Sequence, residues 1–115
     1  RFSEVGLLTE TFATDWSWSP LVFDMDNDGL ADIHVTNGIV KRPNDLDFIQ
    51  YSQEPEPNLS PQQLTQKQID MLPTVKLPNF AFKNEGNLKF SPVADSWVLA
   101  HESYSNGSAY ADLDN

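Results

Sequence analysis

Leu21-Val22-Phe23-Asp24-Met25-Asp26-Asn27-Asp28-Gly29-Leu30-Ala31-Asp32-Ile33-His34-Val35-Thr36 sets two runs rich in β-branched and apolar residues on either side of an acidic turn. The turn repeats Asp at alternate positions, which a generic turn has no reason to do. Ca²⁺ takes six to eight oxygen ligands at roughly 2.3 to 2.6 Å, so a short segment must curl until several carboxylates face one centre. Asp, one carbon shorter than Glu, suits that curl. Loop positions 1, 3 and 5 fall on Asp24, Asp26 and Asp28, position 7 offers the backbone carbonyl of Leu30, and position 9 is Asp32. Gly29 stands at position 6, where the backbone turns most sharply. The expected ligand set for one Ca²⁺ is therefore the side chains of Asp24, Asp26, Asp28 and Asp32 with the carbonyl of Leu30 and a water. Mg²⁺ fits less well, because it prefers fewer protein ligands and more waters.

The flanks set the context of the loop. An EF-hand places its loop between helices and ends it on a bidentate Glu at position 12, whereas position 12 here is Val35. The residues on both sides are strand formers, and the second run closes at the turn pair Asn37-Gly38. The loop is expected to join two antiparallel strands, with a bound cation relieving the repulsion among its carboxylates and fixing the strand register. Such a metal is structural.

The chain repeats itself. Asp112-Leu113-Asp114-Asn115 opens a second acidic loop displaced by 112 − 24 = 88 residues, with Asp112 and Asp114 as its first ligands. The same offset lays Lys89-Phe90-Ser91-Pro92-Val93 on Arg1-Phe2-Ser3-Glu4-Val5, and Tyr104-Ser105 on Trp16-Ser17, without a gap.

The loop, together with the hairpin Phe82-Lys83-Asn84-Glu85-Gly86-Asn87-Leu88-Lys89-Phe90, resembles the FG-GAP or VCBS repeat, a family related to the blades of the integrin α-subunit propeller. Within that family it looks most like bacterial VCBS proteins that carry an ASPIC/UnbV-type module. The resemblance implies a mainly β fold: a calcium-braced β-propeller blade of four antiparallel strands. It implies a secreted or cell-surface protein serving adhesion, ligand binding or scaffolding, with a protein or glycan as ligand. Laid on the chain, it puts the last strand of one blade near Arg1 to Val5, a full blade from Trp18 to Val93, and the first strand of the next near Ser105 to Leu113. Residues 1–115 are then about one blade with parts of two neighbours, and unpaired strand edges offer a route to self-association. A propeller takes typically four to eight blades.

Residues 39–79 depart from a plain blade and read as a helical insertion. Asn44 is placed to cap a short helix over Asp45 to Tyr51. Ser60-Pro61-Gln62-Gln63 combines an N-cap Ser, Pro at the first helical position and Gln at the third, so a second helix is expected from there to about Leu72, before Pro73. Glu54-Pro55-Glu56-Pro57 reads as a stiff, extended break between them.

Composition agrees with an acidic, calcium-using protein. The formal net charge is −10, which argues against nucleic acid as a partner; one bound Ca²⁺ would bring it to −10 + 2 = −8. The absence of Cys removes disulfide and thiol chemistry, and no apolar run is long enough for membrane insertion. The chain starts mid-pattern and stops inside a loop motif, as a piece of a longer polypeptide would. Phe2, Phe12, Trp16, Trp18, Phe23, Phe80, Phe82, Phe90 and Trp97 are the expected core. Catalysis finds no constellation: His34 sits in a strand, His101 in a linker, and carboxylates committed to a cation make a poor acid/base set. The expectation is a binding module, not an enzyme. The alternative is a carbohydrate-binding accessory region or part of a carbohydrate-active enzyme, with Trp16 or Trp18 stacking on sugars.

Overall fold

The computed structural model describes residues 2–52 and 58–111. Its centre is a four-stranded antiparallel sheet in the order β1-β2-β3-β4. The strands are β1 (Ser17–Phe23), β2 (Asp32–Asn37), β3 (Phe80–Asn84) and β4 (Phe90–Pro92). The acidic loop joins β1 to β2, where alternation and turn chemistry put it. Register follows from the pairs Val22↔Ile33 and Phe23↔Asp32 on one side of β2, and Ile33↔Phe82 and Val35↔Phe80 on the other. Because side chains alternate along a strand, Val22, Ile33, Phe82, Pro20, Val35 and Phe80 share one face. Leu21, Phe23, Asp32, His34 and Ala81 share the opposite face. β1 is an edge strand among the described residues, which is where Pro20, lacking a backbone donor, can be accommodated; the register shifts between Ser17 and Pro20.

The hairpin from β3 to β4 turns through Gly86 at φ 77°, with Asn87 and Leu88 also left-handed. Gly86 N donates to Asn84 Oδ1 at 2.9 Å and Glu85 N to the Lys89 carbonyl at 2.9 Å. Beyond the sheet, Leu77 bridges Ser103 in antiparallel fashion.

Among the described residues the buried apolar ones are Val35, Leu77, Ala81 and Phe82. This corrects the expected core. Phe82 is buried, but Phe2, Phe12 and Trp18 are exposed. Phe2 and Phe12 lie in the segment before β1, which contributes no strand to the sheet. Trp18 lies on the edge strand, its indole N–H donating to the Gly38 carbonyl at 2.5 Å. The flanking strands expected near Arg1 to Val5 and Ser105 to Leu113 are also absent among the described residues. Residues 2–5 are irregular and lead into a one-turn helix, α1 (Gly6–Thr9), while residues 104–111 run without a strand. A strand needs a ladder partner, and the described sheet ends at β1 and β4.

Residues Ile39–Val75 form a second compact unit. It contains α2 (Leu46–Ser52) and α3 (Pro61–Met71). α3 begins as the sequence indicates: Ser60 accepts from Gln63 N, Gln63 Oε1 accepts from Ser60 N at 3.0 Å, and Pro61 opens the first turn. α2 differs by one residue at its start. Asp45, not Asn44, accepts from Phe48 N at 3.0 Å through its side chain, the bond an N-cap residue makes to the third helical amide. The expected break at Glu54-Pro55-Glu56-Pro57 lies outside the described residues.

Candidate metal centre

The backbone of the acidic loop is tied down by its own carboxylates. Asp24 accepts from two amides further along, Asp28 N at 3.1 Å and Gly29 N at 2.8 Å, and Asp28 accepts from Leu30 N at 2.9 Å. Asn27 at φ 59° and Gly29 at φ 87° supply the left-handed residues of the turn. A Cβ at Gly29 would meet no atom within 4 Å, so backbone conformation rather than lack of space calls for glycine here.

This curl brings Asp24, Asp26 and Asp28 together, each offering a carboxylate oxygen within 4.8 Å of the others. Two ligands on opposite sides of a calcium ion stand roughly 5 Å apart, so the three oxygens fit one coordination sphere. The donors are all hard oxygens, the chemistry Ca²⁺ takes. Asp26 and Asp28 are exposed and Asp24 is half-buried, so solvent reaches the cluster.

Asp32 stands outside this group of three. It is fully buried, and both its oxygens accept backbone amides: Oδ2 from Met25 N at 2.9 Å, Oδ1 from Asn84 N at 2.8 Å. In this arrangement Asp32 is a clamp that fastens the start of the loop and the end of β3 to β2. Asn84 adds a second tie, donating from Nδ2 to the Ala31 carbonyl at 3.0 Å. Asp112 and Asp114 lie outside the described residues.

Lys83 was not among the residues the loop motif singled out. Its ammonium reaches from β3 into the cluster, pairing with Asp26 and, at 2.9 Å, with Asp28 Oδ2. The hydrogen bond from Lys83, with that from Leu30 N, holds the Asp28 carboxyl below its usual range. The bonds to Asp26 and then Asp28 hold the Lys83 amine well above its own. No local sequence signal marks it: Lys83 comes opposite Asp32, at the mouth of the loop, only because Ile33 pairs with Phe82 in the β2-β3 register.

The residues considered for other chemistry are not assembled. His34 is half-buried on the sheet, where burial pushes its imidazole pKa down, and His101 is exposed. Neither joins the carboxylate cluster. No family model, no curated protein and no solved structure matches the chain. No helix among the described residues is long and apolar enough to cross a membrane.

Proposed function

We propose that the chain is a calcium-binding structural and interaction module, a propeller-type repeat in which one Ca²⁺ braces the turn between β1 and β2. The observation that carries this reading is the convergence of Asp24, Asp26 and Asp28 on one point, at a spacing one calcium ion can span. The oxygens of Asp24, Asp26 and Asp28 and the carbonyl of Leu30 would hold the ion, with Asp32 bracing the loop from behind. The ion would neutralise carboxylates that otherwise repel, so the ordered turn and the β1-β2 register gain stability together. The four-stranded antiparallel sheet and the Asn-x-Gly hairpin support the likeness to an FG-GAP or VCBS blade. Adhesion, ligand binding or scaffolding outside the cell, toward a protein or glycan, is the role this reading assigns.

The test is calorimetric titration of chelator-treated protein with Ca²⁺, paired with thermal melts at rising free Ca²⁺. A one-site isotherm and a Tm that climbs with the ion are expected, because a ligand specific for the folded state stabilises it by mass action. Asp28→Ala should abolish both. Folded protein that gives no heat and no shift, or an Asp28→Ala variant that keeps its affinity, would overturn the assignment.

A further inference from the structure

We propose that Asn106 is a site of spontaneous covalent modification, cyclising with Gly107 and ending as aspartate or isoaspartate, while the same dipeptide at Asn37-Gly38 is held inert by the fold. The reaction is intramolecular. The Gly107 backbone nitrogen attacks the side-chain carbonyl carbon of Asn106, the new C–N bond closes a succinimide ring, and the broken Cγ–Nδ2 bond releases ammonia. Water then opens the ring at either carbonyl, leaving a side-chain carboxylate (aspartate) or routing the main chain through the side-chain carbon (isoaspartate). Each ammonia lost consumes one water, and nothing is oxidised or reduced.

Such a site needs a backbone that can turn and a nitrogen that is not committed. The attacking nitrogen must come within about 3–3.5 Å of the carbonyl carbon, and a following glycine, lacking Cβ, makes the required rotation easy. The sequence offers Asn-Gly twice, at Asn37-Gly38 and Asn106-Gly107, with the related pair Asp28-Gly29 in the acidic loop.

The structure separates them. Asn106 and Gly107 are both exposed, within residues 104–111 that belong to no strand. Among the described residues neither makes a hydrogen bond, and a Cβ on Gly107 would meet no atom within 4 Å. The backbone there can rotate without breaking a bond or displacing a neighbour. Asn37 is the opposite case, fully buried at the end of β2. Its Nδ2 donates to the Pro78 carbonyl at 3.1 Å, its Oδ1 accepts from Ser17 Oγ at 3.3 Å, and Gly38 N donates to the Trp16 carbonyl at 3.2 Å. Cyclisation would break these bonds in the interior, where lost partners are costly. Asp28-Gly29 is held as well: Gly29 N donates to Asp24 Oδ2 at 2.8 Å, and the Asp28 oxygens are taken by Leu30 N and the Lys83 ammonium.

The modified residue falls between two anchors. Ser105 N donates to the Asn37 carbonyl at 3.0 Å, and Tyr110 stacks on Phe23 with ring centroids 4.4 Å apart. Each event adds one negative charge, −10 − 1 = −11, and the isoaspartyl product lengthens the main chain between those anchors. Only water is required, so the converted fraction records the age of the molecule.

The test is timed incubation of the full chain at neutral pH, in native buffer and in guanidinium chloride, both made with heavy-oxygen water, followed by peptide mapping. In native buffer, Asn106 should convert with uptake of heavy oxygen, faster as pH rises because the attacking amide must give up its proton, while Asn37 stays intact. In denaturant the two sites should convert at comparable rates. Gly107→Val, whose branched side chain stiffens the step that must rotate, should suppress conversion at Asn106 in both conditions and leave the behaviour of Asn37 unchanged. An Asn106 as durable as Asn37 in native buffer, or an Asn37 that converts there as fast as Asn106, would overturn the proposal. So would an Asn37 that stays intact in denaturant, since the fold would then not be what spares it.

Discussion

Lys83 Nζ lies 2.9 Å from Asp28 Oδ2, so a cation from β3 sits in the same cluster of carboxylates that the loop between β1 and β2 assembles. The protein thus carries its own counter-ion for the acidic turn. A divalent ion entering the cluster must displace that ammonium or share carboxylates with it.

Replacing Lys83 with Met should therefore tighten Ca²⁺ binding, by roughly ten-fold, since a unit charge a few Å from the ion is removed. The same change should lower the Tm of chelator-treated protein, because the carboxylates lose their internal counter-charge. Calorimetry and melts of the two proteins side by side check both signs. Equal or weaker affinity in Lys83→Met would show that the ammonium does not compete with the ion.

Asp32→Ala should destabilise the sheet whether or not calcium is present. It leaves the amides of Met25 and Asn84 without the carboxylate that accepts them at 2.9 and 2.8 Å, at a cost of about 1–3 kcal/mol for each buried donor. Asp32→Asn, which keeps one accepting oxygen, should lose about half as much. Urea unfolding in excess chelator measures the difference, and a large loss seen only with calcium present would make Asp32 a ligand first and a clamp second.

Three glycines separate steric need from backbone need. A Cβ on Gly38 would stand 2.6 Å from Ser105 N and from Tyr104 Cα, both backbone atoms, so Gly38→Ala should cost about 1–3 kcal/mol as overpacking does. Gly29→Ala meets no atom but must hold φ 87°, a left-handed conformation that costs a side chain roughly 1–2 kcal/mol. Gly107→Ala meets neither obstacle and should be near neutral. Urea unfolding of the three variants should rank Gly107→Ala well above the other two in stability.

The β3-β4 hairpin carries an acid-sensitive tie. Glu85 pairs with Lys89 at 2.7 Å and accepts from Ser91 Oγ at 2.6 Å, and these hold its carboxyl below the usual Glu value of 4.5. Since the folded pKa is the lower one, this contribution is fully present above the unfolded pKa and is lost as pH falls through the folded pKa. An NMR titration should place the Glu85 midpoint below 4.5, and Lys89→Met should move it upward. A midpoint unmoved by Lys89→Met would assign the shift to Ser91 alone.

Much of the sheet was legible from local chemistry. The alternating runs around Asp24 to Asp32, the Asn-x-Gly turn at Asn84-Glu85-Gly86 and the capping box at Ser60 each encode their geometry within a few residues, and β1 to β4 and α3 stand where those signals put them. The expected aromatic core failed for Phe2, Phe12 and Trp18, because burial depends on which segments find ladder partners, and hydrophobicity alone does not specify that.

Asp spacing and a glycine at the sharp turn are short-range properties, so the acidic loop, its place between two strands and the convergence of Asp24, Asp26 and Asp28 follow from one stretch of chain. Tertiary structure alone decided that Lys83 enters the cluster, that Asp32 faces the amides of Met25 and Asn84, and that Tyr110 lies over Phe23. Lys83 and Asp32 are 51 residues apart by number, 83 − 32, and become neighbours only through the β2-β3 register. That register is set by burying Val35 and Phe82 on a common face, a choice made by packing across the whole sheet and not by any one stretch of chain.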